Sequence, residues 1–185
     1  MPDIFFEDVI VGDAIRTLPY VLPEGELMSF AAAWDPMPMH TDKDFAAAHD
    51  GLTAPGIYLL AVKMRLVHSL PVQRSVIASF GYDEVRFHRP ARPGDALCLE
   101  LEWTAKRRSR SRPDCGIVTG RCSLINAAGE VVMSHLDTLL MRLRKNPSPP
   151  NTCCHFTASN GSLISPINPS STQRRYSQAF QHRAL

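Results

Sequence analysis

Fifteen residues, Gly56 to Leu70, run without a proline or an internal glycine, and they are apolar on almost every side. Ile57, Leu59, Leu60, Val62, Met64, Leu66 and Val67 cannot share one stripe of a helix. A helix apolar on most faces is expected to be buried on most faces, so the rest of the chain has to enclose it. Lys63, Arg65 and His68 mark its limited polar edge. After Pro71 the period changes. Leu97, Leu99, Leu101 and Trp103 alternate with Cys98, Glu100 and Glu102, the pattern of a half-buried strand. Residues 76–88 read as the strand before it, and Pro93-Gly94 as the turn between them. Residues 116–125 and 131–142 read as two more strands, joined by a turn through Asn126 and Gly129. A helical half followed by four successive strands predicts an α+β fold, with an antiparallel sheet around the central helix.

Ahead of that helix the signals are shorter. Residues 5–21, broken at Gly12-Asp13, read as short strands around a turn. Leu27, Phe30, Ala31 and Trp34 fall at helical spacing, which predicts a helix over 23–34 ended by Pro36 and Pro38. A second short helix is expected over 42–48, with acidic residues suiting its first turn. The longest purely apolar run is Ile57 to Val62, far short of the roughly 20 residues of a spanning helix, so no membrane role is expected. The acidic N-terminus, with Asp3, Glu7, Asp8 and Asp13, does not read as a secretory signal.

The formal net charge of +2 divides unevenly. Residues 1–144 hold 16 basic and 18 acidic side chains, a net of −2, while residues 145–185 hold four basic and no acidic ones. The second segment also carries seven Ser, five Pro and four Asn and shows no period. The expectation is one folded domain over 1–144 and a poorly structured, dispensable basic tail over 145–185. Five cysteines without a CxxC pair point to a reducing, cytoplasmic setting rather than to a disulfide framework. Cys153-Cys154-His155 lacks the further ligands a metal would need, so no metal site is expected.

Chemistry concentrates in Trp34-Asp35-Pro36-Met37-Pro38-Met39-His40-Thr41-Asp42. Asp35 and His40 lie five residues apart in an irregular stretch stiffened by two prolines, each of which fixes φ. A rigid loop holding both groups suits acid/base work on one reacting centre. The plainer alternative is a helix-ending Asp and a His that starts the next turn. Sixteen residues on, Ala54-Pro55-Gly56 opens the central helix, whose first turn has free N–H groups and a partial positive charge. Gly56 has no side chain to keep a developing oxyanion away from them; close packing is the alternative reason for a glycine there. The run 106–112 has five basic residues in seven. It interleaves no aromatics and sits between strands, so a solvated connection is preferred over a nucleic-acid surface, with a basic edge for phosphates as the middle reading. His49, His68, His88 and His135 are scattered and read as surface or partly buried polar residues.

The segment Asp35-Pro36-Met37-Pro38-Met39-His40 resembles the D-x-[N/Q]-P-x-H signature of MaoC-like dehydratases, which include (R)-specific enoyl-CoA hydratases. Phe6-Glu7-Asp8 with Val11-Gly12-Asp13, Asp44-Phe45-Ala46, Ala54-Pro55-Gly56, Val85-Arg86-Phe87, Arg89-Pro90, Arg92-Pro93-Gly94-Asp95, Ser109 to Pro113 and Gly129 to Val132 extend the resemblance, in order, over about 5–143. It departs at Met37, where the family usually has Asn or Gln. The resemblance implies a hot-dog fold, a long helix wrapped by a curved antiparallel sheet. It implies a homodimer and an acyl-CoA substrate. It places Asp35 and His40 at the catalytic positions and the Gly56 N–H opposite the thioester oxygen. The implied reaction is hydration of a trans-2-enoyl-CoA to a 3-hydroxyacyl-CoA, or its reverse, with the CoA thioester as substrate and no metal or redox cofactor. A non-catalytic acyl-CoA-binding or dimerisation domain and a hot-dog thioesterase remain as alternatives. Tyr58, just inside the helix, reads as amphipathic packing.

Overall fold

In the computed structural model, which describes residues 3–144, a set of short pieces leads into one long helix and then four long strands. The short pieces are β1 (Asp3–Ile4), a 3-10 turn (Phe6–Asp8), β2 (Ala14–Arg16), β3 (Tyr20–Val21), α1 (Glu24–Trp34), α2 (Pro38–Thr41) and α3 (Lys43–Ala47). The central helix is α4 (Gly56–Val67). Then come β4 (Gln73–Arg74), β5 (Val76–Phe87), β6 (Ala96–Arg108), β7 (Cys115–Ile125) and β8 (Val131–Arg142). The tail expected over 145–185, with Cys153, Cys154 and His155, lies outside the described residues.

The long strands form an antiparallel sheet in the order β2-β6-β7-β8-β5, and β3 also pairs with β6. The alternation read at 97–103 is the buried face of β6: Leu97, Leu99, Leu101 and Trp103 are all buried. β7, in the middle, buries Gly116, Val118, Gly120, Cys122 and Leu124 on one face, while Ile117 and Thr119 on the other are half-buried and Arg121 is exposed, as an antiparallel strand allows. Breaks of register in β5, at Val76/Ala78, Ser79/Gly81 and Asp83/Arg86, bend the edge of the sheet. The long helix and curved sheet make this a hot-dog fold.

The expectation that the central helix is buried on most faces is corrected. Tyr58, Leu59, Val62, Lys63, Leu66 and Val67 form one broad buried stripe, while Ile57 and Met64 stay exposed. One sheet can cover only one side of a helix, and the second apolar side has no cover among the described residues. The polar edge is also corrected, because Lys63 turns inward and is 0% exposed. It reaches Asp137 of β8, Nζ to Oδ2 at 3.5 Å, and lies 4.0 Å from the centre of the Tyr82 ring. His135 is corrected in the same way: the in–out alternation of β8 puts it inside, 1% exposed.

The basic run is not simply a connection. Lys106, Arg107 and Arg108 are the last residues of β6, paired with Val118, Ile117 and Gly116 of β7. Lys106 donates to the Val9 carbonyl at 2.5 Å, and Lys106 and Arg108 lie over the Phe6 ring. Their long side chains fasten the N-terminal segment across the sheet. Only 109–114 is the expected connection. No helix among the described residues is long and apolar enough to cross a membrane.

Candidate active site

Helix α1 stops at Asp35, which leaves the helical region (φ −153°, ψ 73°) ahead of Pro36 while its N–H still donates to the Ala31 carbonyl. The following stretch is not irregular throughout, as expected, but coils into the single turn α2. Pro38 takes its first position, where a missing N–H costs nothing. The Met37 carbonyl accepts from the His40 N–H at 2.8 Å and from the Thr41 hydroxyl at 3.1 Å. That turn points His40 inward, and it is buried. Asp42 then ends α2 and caps α3, its side chain accepting from the N–H groups of Asp44 and Phe45.

His40 Nδ1 lies 2.7 Å from the Thr53 carbonyl oxygen. A carbonyl can only accept, so Nδ1 carries the hydrogen and the neutral ring keeps its lone pair on Nε2. Nε2 faces Asp35 Oδ2 at 3.7 Å. That separation is too long for a direct hydrogen bond, yet it lets both atoms reach one small molecule between them. The Asp35 side chain is about one-third exposed, so the pair opens to solvent on the carboxylate side.

His40, Thr53, Gly56, Leu59, Phe87 and Ala91 are among the residues lining a cavity of about 400 Å³. Asp35 reaches it only through His40. Gly56 begins α4, and its N–H donates to no acceptor among the described residues, as the first N–H of a helix does. A Cβ at this position would meet the Phe87 ring at 2.6 Å. Close packing therefore explains the glycine as well as ligand approach does. Tyr58 turns away from the cavity: its hydroxyl donates to Glu26 Oε1 at 3.0 Å, and burial followed by that bond pushes its pKa up. No group of three or more His, Cys, Asp or Glu suited to a metal occurs among the described residues.

Residues 8–122 match the MaoC like domain. The chain belongs to the MaoC-like family. A solved MaoC-like dehydratase from Rhodospirillum rubrum is 33% identical, covers 77% of this chain and 99% of its own, and superimposes with a TM-score of 0.70. An (R)-hydratase from A. caviae involved in PHA biosynthesis is 25% identical, with a TM-score of 0.57 over 75% of this chain and 99% of its own. Among curated relatives, mesaconyl-CoA hydratase of Cereibacter sphaeroides is 28% identical over 148 residues, which is 78% of this chain and 43% of the relative. The chain thus spans less than half the length of that relative.

In this MaoC-like chain Met37 is the visible departure from the family's motif. Its side chain is exposed, and its carbonyl does the local work of holding α2. Sequence reasoning missed Thr53 and Phe87. Thr53 acts through its backbone, which no residue type advertises. Phe87, at the end of β5, reaches Gly56 only because the sheet bends there. His88, read as a scattered histidine, stands on the rim of the cavity with Nε2 2.8 Å from the Ser134 hydroxyl.

Proposed function

We propose that the chain adds water to the double bond of a trans-2-enoyl-CoA, or removes it from a 3-hydroxyacyl-CoA, with Asp35 and His40 acting on one water beside the Gly56 N–H. The supporting observation is the convergence of His40 Nε2 on Asp35 Oδ2 at 3.7 Å while Nδ1 is anchored to Thr53. Water held by both acceptors gives its proton to Nε2 as its oxygen bonds to Cβ. The imidazolium so formed is stabilised by the Asp35 carboxylate. Charge pushed onto the thioester oxygen meets the free N–H groups at the start of α4. The dyad then returns a proton to Cα, and the atoms of water are fully accounted for. Acid/base and oxyanion contributions of this kind are each worth about 10²–10⁴ and 10²–10³ in rate.

A homodimer fits the same reading. β5 is a twelve-residue edge strand with Phe80, Tyr82 and Phe87 exposed, and α4 leaves Ile57 and Met64 uncovered beside it. A long edge strand with exposed aromatics is a ready surface for a second copy. One observation favours the runner-up, acyl-CoA binding without turnover: the Phe87 ring lies against Gly56, where the thioester would approach. Loss of enoyl absorbance with short and medium trans-2-enoyl-CoA distinguishes the two. Turnover that disappears in Asp35→Asn supports hydration. Binding without turnover across acyl types supports the runner-up, and release of free CoA would make the chain a thioesterase.

A further inference from the structure

His40 has an acceptor on each side and, as a neutral ring, one hydrogen to give. The Thr53 carbonyl lies 2.7 Å from Nδ1, and Asp35 Oδ2 lies 3.7 Å from Nε2. The shorter contact decides, so the hydrogen stays on Nδ1 and Nε2 stays free. The balance is narrow. At equal distance a carboxylate attracts a hydrogen more strongly than a carbonyl does, so a small retreat of Thr53 would hand the hydrogen to Nε2. The Thr53 hydroxyl, 3.3 Å from Nδ1, would then donate to the bared nitrogen and complete the change. A ring with its hydrogen on Nε2 cannot take a second one there as a base. The placing of one loop carbonyl therefore sets what His40 can do.

The loop carrying Thr53 leaves α3 through two successive residues with left-handed backbone, Asp50 (φ 64°) and Gly51 (φ 91°). Glycine adopts that region freely and Asp only at a cost, so the turn has to be held from outside. Arg92, in the turn before β6, does this. Its guanidinium donates from Nη1 to the Asp50 carbonyl, which has no other donor among the described residues. Nη1 packs so closely on Gly51 that a Cβ there would meet it at 2.9 Å. One residue earlier, the Ala91 carbonyl accepts from the Ala54 N–H at 2.8 Å. Residues 91 and 92 thus grip the loop on both sides of Thr53. Arg92 is itself fixed: its N–H donates to Asp95 Oδ2 at 2.8 Å, and its carbonyl accepts from the Asp95 N–H at 3.1 Å. We propose that Arg92 is a positioning residue for His40, holding the Asp50–Gly51 turn so that the Thr53 carbonyl keeps the imidazole hydrogen on Nδ1. The effect on the ring stands on geometry alone; only its consequence for turnover rests on the hydratase reading.

Nitrogen-15 NMR of the full chain reads the tautomer of the neutral ring without any substrate, the His40 signals being those lost in His40→Gln. The wild type should show Nδ1 protonated and Nε2 bare. Arg92→Met, which keeps an apolar stem and donates nothing, should shift the population toward the Nε2–H form. Arg92→Lys, which still offers an N–H to Asp50, should shift it less. If Arg92→Met does not fold, Arg92→Gln, whose amide stops short of Asp50, takes its place. With trans-2-enoyl-CoA, Arg92→Met should lower kcat about 10- to 100-fold at a KM within about twofold of the wild type, and Arg92→Lys should recover most of that loss. A wild-type tautomer in the folded variant, or the same shift in Arg92→Lys as in Arg92→Met, overturns the proposal. So does a raised KM at constant kcat, because Arg92 would then be touching substrate. A chain that turns over no enoyl-CoA would sink the hydratase reading and leave the spectrum to decide this one.

Discussion

At the Gly56 end of α4, the buried histidine has one nitrogen tied to the Thr53 carbonyl and the other facing a carboxylate that opens to solvent. At the Val67 end, Lys63 and Asp137 are shut inside at 3.5 Å, Arg74 Nη1 has no partner and neither nitrogen of His135 is bonded among the described residues. Both ends bury ionisable groups against the same helix. The difference is in what holds them. Backbone carbonyls and prolines fix the first set with one lone pair left free, which is the condition for moving a proton. The second set is held by mutual attraction, with hydrogen-bonding capacity unmet, which costs stability unless a ligand or partner completes it.

The sharpest way to break this contrast is to remove one half of the shut-in pair. Lys63→Met leaves Asp137 buried and uncompensated and should cost about 3–5 kcal/mol of stability, while Lys63→Met with Asp137→Leu should recover most of it. Denaturant unfolding of the three variants checks this; a Lys63→Met protein as stable as the wild type would show the pair is solvated. Gly56→Ala probes the other end. Its Cβ meets Phe87 at 2.6 Å, so overpacking should cost about 1–3 kcal/mol and activity should fall. Phe87→Ala in the same chain should restore the stability, and activity that stays low would separate the oxyanion contact from packing. The smallest effect concerns His135, whose pKa is pushed below its ordinary 6.5 by burial and then by Lys63. The unfolded chain then binds the proton more readily, so stability is full above pH 6.5 and falls as the pH drops below it. His135→Phe should flatten that slope by up to one proton in a stability–pH series, and an unchanged slope would place the titration elsewhere.

Much of the fold was legible because period reports burial. The 97–103 alternation became the buried face of β6, and the order of helix and strands held. The prolines and the helix start singled out Asp35, His40 and Gly56 one by one, each beside a plainer alternative, and only the family resemblance joined them as a set. Lys63 and His135 were misread because a charged or titratable side chain reads as polar edge in sequence, and only its partner across 74 residues, Asp137, makes Lys63 an inner residue. Thr53 left no signal because it acts through its carbonyl, and Phe87, though part of the Val85-Arg86-Phe87 segment, was not legible as a site residue because it reaches Gly56 only through a bend in the sheet. The uncovered side of α4 looked like burial because sequence cannot tell an apolar face packed within the chain from one left exposed.

The central claim is that Asp35 and His40 act as one unit on a single water. A double-mutant cycle on turnover of a trans-2-enoyl-CoA measures this directly, with Asp35→Asn, His40→Ala and the double variant compared at constant fold. Each single change should cost about 10²–10⁴ in kcat, and the double variant should lose no more than the worse single one. Losses that multiply, or a single variant that keeps wild-type turnover, would contradict it.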